Sequence, residues 1–127
     1  MRTNERYEFV SITEEVKRAV RESGVEEGFC VISSTHTTAA VTVNEDYDPD
    51  VPRDLAAACR ALVSGLDVRF AHAEGNSDSH LLTSLFGQSQ RLLVRGGALD
   101  LGRWQGIFLA EFDGPRSRTA RVAVYPA

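Results

Sequence analysis

Along the chain, apolar residues recur first every second position and then at helical spacing, so strands and helices can be read off in turn. Residues 3 to 10 read as a strand. Ser11-Ile12-Thr13-Glu14 is a capping-box pattern opening a helix with Ile12, Val16, Ala19 and Val20 on one face, and Gly24 stands where a C-cap is needed. Gly28 to Ser34 and Thr37 to Asn44 are rich in β-branched residues and predict two strands joined by Ser-Thr-His. Asp48-Pro49-Asp50-Val51-Pro52 caps and starts a second helix bearing Val51, Leu55, Cys59, Leu62 and Val63, ended by Gly65. A polar loop, Ala71 to Asp78, leads into a short helix with Leu81, Leu82 and Leu85, closed by Gly87. Strands at Gln90 to Arg95, Ala98 to Leu101, Trp104 to Phe112 and Ser117 to Tyr125 follow, separated by Gly96-Gly97 and Asp113-Gly114-Pro115, and read as an antiparallel meander. The pattern predicts an α+β fold of antiparallel sheets with two main helices and one short helix, as a single domain over residues 1–127.

Composition narrows the function classes. A hydrophobic content of 43% with 25% charged residues is that of an ordinary globular domain. No apolar run approaches the length of a membrane span, and MRTNERYEF lacks the apolar core of a signal peptide, so the expected location is cytoplasmic with no membrane partner. A net charge of −4 argues against a broad nucleic-acid surface but leaves room for a local anion pocket. Cys30 and Cys59 sit in apolar contexts and read as reduced core residues. Lys17, the one lysine among 14 basic residues, falls on the solvent face of a helix, which leaves no lysine for Schiff-base or P-loop chemistry. Neither a nucleophile elbow nor a P-loop occurs.

The candidate chemistry lies with the three histidines, His36, His72 and His80, each in a polar segment at a strand or helix end. Three imidazoles can complete a zinc-type site with one position left for water. Alternatively, His72 or His80 acts as general acid or base, oriented by Asp78 or Glu74. The bland alternative is that each histidine simply bonds to backbone. Asn44 shares the face of His36, but eight residues at 3.3 Å each separate them by roughly 26 Å. Asn44 and Glu45 would therefore meet His36 only across an oligomer interface or through a bent strand. On the Trp104 strand, Gln105 and Glu111 share a face with Ile107 and Leu109, bounding an apolar stripe as at a pocket wall or interface. Arg116 and Arg118 can grip phosphate or carboxylate bidentately, and Gly75-Asn76-Ser77 offers free N–H groups, or a plain N-cap, at a helix start.

Three motifs, Ser34-Thr-His-Thr-Thr-Ala-Ala40 through Val43-Asn-Glu45, His72-Ala-Glu-Gly-Asn-Ser-Asp-Ser-His80, and Gly102-Arg-Trp-Gln-Gly106 through Glu111-Phe-Asp-Gly-Pro-Arg116, together resemble the YjbQ-like family over nearly the whole chain. The family's motif histidines correspond to His36, His72 and His80. Its Asn-Glu corresponds to Asn44 and Glu45, and its Trp-Gln and Gly-Pro-Arg to Trp104, Gln105 and Arg116. The resemblance implies a homotrimer with the histidine motifs near subunit interfaces, and a secondary thiamine-phosphate synthase activity. On that basis the expectation is a small enzyme acting on an anionic, phosphorylated heterocyclic metabolite. His72, His80, Glu45 and Asp78 would be catalytic, and Asn44, Asn76, Gln105 and Arg116 substrate-binding. His36, His72 and His80 would be ligands for a divalent metal, zinc or magnesium. The alternative is a non-catalytic trimeric module that binds a metal or metabolite.

Overall fold

A computed structural model describes all residues, 1–127, as ten elements. In chain order they are β1 (Glu8–Ser11), α1 (Thr13–Ser23), β2 (Gly28–Ser34), β3 (Ala39–Glu45), α2 (Asp50–Ser64), α3 (Ser77–Phe86), β4 (Ser89–Arg95), β5 (Ala98–Leu99), β6 (Gln105–Glu111) and β7 (Ala120–Pro126). The strands form two antiparallel sheets, one ordered β1-β6-β3 and the other β5-β4-β2-β7. The α+β class, the three helices and the antiparallel pairing agree with the sequence reading.

β6 is the strand on which the molecule is built, because both of its faces are apolar. Ile107 and Leu109 turn toward the second sheet and pack with Ile12, Val16, Ile32 and Val41. Phe108, Ala110 and Phe112 turn the other way, into a cluster with Tyr7, Phe9, Cys59 and Leu82 beneath α2 and α3. Phe112 anchors that second cluster, with ring centroids 5.3 Å from Phe86 and 6.1 Å from Phe9. The three-stranded sheet is thus the middle layer of the molecule, as expected for a strand that alternates between two apolar faces.

The C-terminal strands do not form a meander. Only β4 and β5 pair as neighbours in sequence. β6 inserts between β1 and β3, and β7 pairs along β2 from Gly28↔Pro126 to Ser34↔Ala120. Local alternation specifies a strand's faces but not its partner, and burial on both faces of β6 requires neighbours from distant parts of the chain. The first helix also starts differently from the capping-box reading: its N-cap is Ile12, with no side-chain cap. The Ser11 hydroxyl donates instead to Asp46 at 2.5 Å, and the Thr13 hydroxyl to the same carboxylate oxygen at 2.7 Å. On α2, Cys59 is buried as read, but Leu62 is 67% exposed and faces away from the core. Both cysteines are buried and unbonded to each other.

Candidate functional site

The histidines fall at one end of the molecule, where β3 begins, β6 ends and α3 starts. Two hydrogen bonds tie the start of α3 to the end of β6, and a third ties that strand end to the segment before β3. The Ser79 hydroxyl donates to the Phe112 carbonyl at 2.5 Å, the Asn76 amide donates to Asp113 at 2.9 Å, and the Phe112 N–H donates to the Thr38 carbonyl at 3.2 Å. His80, one residue beyond Ser79, is thereby held against the strand end. His72 lies on the exposed approach to the helix, and its ring meets that of His80 edge to face with centroids 5.4 Å apart. Gly75, at φ 72°, supplies the left-handed turn between them that an L side chain would resist.

The two rings face a cleft of about 300 Å³ with no hydrophobic residue in its wall. Thr37, Glu74, Asn76 and Arg116 complete the part that can meet a ligand. Arg116 is half exposed: its Nε and one terminal nitrogen donate to the Asp113 carbonyl and carboxylate at 2.8 and 3.1 Å, and its other terminal nitrogen has no partner in the chain. The Asn76 side chain does not cap its helix. Its NH2 is fixed between Asp113 and Glu74, at 2.9 and 3.3 Å, which assigns the amide orientation and leaves the buried Oδ1 without a partner. Glu74 is the one carboxylate in the cleft that no arginine holds.

Beneath the cleft lies a fully buried ion pair. Arg118 donates from Nε and Nη2 to Glu111, the shortest contact being 2.5 Å, and its Nη2 also reaches the Thr38 hydroxyl at 2.8 Å. The Thr3 hydroxyl donates at 2.7 Å to Glu111 Oε1, which also accepts from Arg118 Nε. Burial pushes the Glu111 carboxyl up, but the hydrogen bonds from Arg118 and Thr3 outweigh it and hold the group below its ordinary range. Arg118 therefore serves the fold. Its Nε and Nη2 are committed to Glu111 and Thr38, while its Nη1, like the second terminal nitrogen of Arg116, makes no hydrogen bond in the chain. A carboxylate aligned with Ile107 and Leu109 on a buried strand was the signal that a cation would be drawn inward to meet it.

The sequence-derived residues separate into groups. His72, His80, Asn76 and Arg116 come together. His36 lies one residue before this wall but does not line the cleft. Its Nε2 accepts the Thr119 N–H at 2.9 Å, so the neutral ring carries its proton on Nδ1, and burial together with the Arg118 charge lowers its pKa. Asp78 turns away from the cleft, where Tyr7 and Arg6 donate to it, the latter at 3.0 Å. Burial raises the Asp78 carboxyl, yet those two hydrogen bonds hold it below the usual carboxylate range. Asn44, Glu45 and Gln105 stand at the opposite end of β3 and β6, where Glu45 pairs with Gln105 while Ala39 pairs with Glu111. There the Gln105 side chain accepts the Gly102 N–H at 2.8 Å, and Tyr47 and Trp104 meet edge to face at 4.6 Å. No group of three or more His, Cys, Asp or Glu side chains is arranged to hold a metal ion.

The architecture and cleft define a small α+β protein with a polar histidine pocket at one end of a two-sheet fold. The YjbQ-like UPF0047 family profile matches residues 1–127, and the chain belongs to that family. It is 45% identical over 124 residues to the UPF0047 protein MJ1081 of Methanocaldococcus jannaschii, covering 98% of this chain and 89% of that one. It is 40% identical to YugU of Bacillus subtilis, covering 96% and 92%. A crystal structure of a YjbQ/UPF0047 protein from Clostridium acetobutylicum superposes with a TM-score of 0.93 at 43% identity, covering 98% of this chain and 96% of that one. A YjbQ-like protein of Sulfolobus solfataricus superposes with the same TM-score at 32% identity, covering 100% and 93%.

Proposed function

We propose that the chain is a small enzyme acting on an anionic, phosphorylated heterocyclic metabolite at the His72–His80 cleft. The observation that carries this reading is the pair of edge-to-face imidazoles in an all-polar cleft beside the uncommitted guanidinium nitrogen of Arg116. In this reading Arg116 grips the anion, since guanidinium matches phosphate oxygens. His72 and His80 move protons, the ordinary role of imidazoles near neutral pH. Glu74, with no arginine to hold it as an anion, is the carboxylate available to orient them. Asp78 acts through its neighbours, fixing the start of α3 against Tyr7 and Arg6.

Thiamine-phosphate synthase-type transfer is the specific reaction we attach to it. A thiazole ring nitrogen would form a C–N bond as the C–O bond to pyrophosphate breaks, with the pyrophosphate leaving with the electron pair. Asn44, Glu45 and Gln105 enter only in a homotrimer, where the far end of one copy would meet the histidine end of another. A divalent metal, zinc or magnesium, does not fit a three-histidine set in one chain, because the His36 Nε2 is engaged by Thr119. An ion shared by His72 and His80 would require ligands from outside the chain, and no step is derived through it.

The test is complementation of a thiamine auxotroph lacking its own synthase. Wild-type protein is expected to restore growth and a folded His72→Ala, His80→Ala double variant is expected not to. Full growth with the double variant would end the reading. A second reading, a trimeric binding module without turnover, draws on Asp78, Asp113 and Glu111 all being tied to arginines. A ligand that raises the melting temperature while no product forms on prolonged incubation would favour it.

A further inference from the structure

A larger cleft of about 480 Å³ adjoins the first, and its wall is formed by Thr37, His80, Thr83, Ser84, Gly87 and Gln88. Thr37 and His80 line both clefts, so the two adjoin at the His80 side chain. The second differs from the first in chemistry. It has hydroxyls, an amide and backbone, no hydrophobic side chain, and no group of fixed charge. An anion would find no cation there, and an apolar group no apolar wall.

One wall residue of each cleft also carries a buried polar atom without a hydrogen-bond partner: the Thr83 hydroxyl in the second and Asn76 Oδ1 in the first. Thr83 is 3% exposed and Asn76 5% exposed. Buried polar atoms are nearly always satisfied, and an orphan costs stability unless something outside the chain supplies its partner. Because the Asn76 NH2 is fixed on two carboxylates, its Oδ1 can only accept, so the missing partner at that point is a hydrogen-bond donor. The Thr83 hydroxyl can take either role.

We infer that the second cleft is a subsite for the neutral, hydroxyl-bearing part of the ligand, so that the phosphorylated heterocyclic metabolite also carries hydroxyl groups, with its anion at Arg116 and its hydroxyls reaching past His80 to Thr83, Ser84 and Gln88. This rests on the proposed anion site and adds to it the requirement for donors. A bare anion would leave both orphan atoms unmet, and a wholly apolar phosphate ester would bury them further. His80 stands at the junction of the two subsites, where the bond between anion and hydroxylated group would lie.

Calorimetric titration with three probes, inorganic phosphate, ribose 5-phosphate and ribose, separates the inference from the reading beneath it. Ribose 5-phosphate is expected to bind at least about tenfold more tightly than phosphate, the order that one or two neutral hydrogen bonds contribute. In Thr83→Val, which keeps the side-chain shape, and in Gln88→Ala, that advantage should shrink toward unity while phosphate affinity stays within about twofold, the far-UV spectrum being unchanged. Equal binding of phosphate and ribose 5-phosphate, or an advantage that survives both substitutions, overturns the subsite and leaves the anion site standing. Ribose binding that depends on Thr83 with no phosphate binding overturns the anion site and keeps the subsite. Absence of all binding overturns both.

Discussion

Removing one member of the buried Glu111–Arg118 pair strands the other in the core. Glu111→Gln or Arg118→Met is expected to cost about 3–5 kcal/mol in denaturant unfolding. The same two residues set part of the acid response. Glu111 titrates below its ordinary value in the folded chain, so its contribution is full above the unfolded pKa of about 4.3 and is lost as pH falls through the folded one. His36 behaves in the same sense at higher pH. Its folded pKa is depressed by burial and by Arg118, against a smaller opposing pull from Glu111. The unfolded chain therefore takes up the proton first as pH falls below about 6.5. Unfolding free energy should decline between pH 7.5 and 5.5, and His36→Gln should flatten that part of the curve. An equal slope in the variant would remove His36 as its source. That His36 bonds to backbone is the bland alternative the sequence offered, but its partner was not legible, because Thr119 lies 83 residues away along the chain.

Among the elements, β6 and α3 position the site, and they were legible to different degrees. The helix was readable because its signals are local: a polar entry, three leucines at helical spacing and Gly87. Its Asn76 was read either as a plain cap or as part of an anion-binding helix start, and the structure excludes the side-chain cap, because Asp113, at the end of a strand 37 residues on, draws the amide away. For β6, alternation gave both faces of the strand but neither neighbour, since pairing with β1 and β3 is settled by burial of the whole sheet. The opposite end of β6 is equally constrained. A Cβ at Gly106 would lie 2.6 Å from an Asp46 carboxylate oxygen and 2.7 Å from the Thr13 hydroxyl, the groups that fix the start of α1. Gly106→Ala is expected to destabilise the chain by about 1–3 kcal/mol, as overpacking does. A melting temperature equal to wild type would show that Asp46 moves aside without cost.

At the scale of the whole molecule, one surface is unlike the rest. The outward side of α2 and the segment after it expose Leu62, Val68 and Phe70, the last two 57% and 45% exposed, in an extended run that leads directly to His72. Large apolar exposure of this kind marks an interaction surface more often than free solvent contact. It is the feature that best supports the proposed self-association. Leu62→Glu with Val68→Glu is expected to reduce the assembly to monomers in light scattering after size exclusion, and unaltered mass would detach this surface from it. Helical spacing put Leu62 on the apolar face of the second helix, but spacing alone does not say which residues of that face the sheet covers.

In the proposed function His72, His80 and Arg116 form one anion-binding site. It is tested most directly by following the imidazole resonances during titration with inorganic phosphate. The His72 and His80 signals are expected to shift together and saturate at one dissociation constant, and Arg116→Ala is expected to raise that constant at least about tenfold, the order set by loss of one charge-assisted hydrogen bond. Signals that stay still at high phosphate, or that move identically in Arg116→Ala, would contradict it.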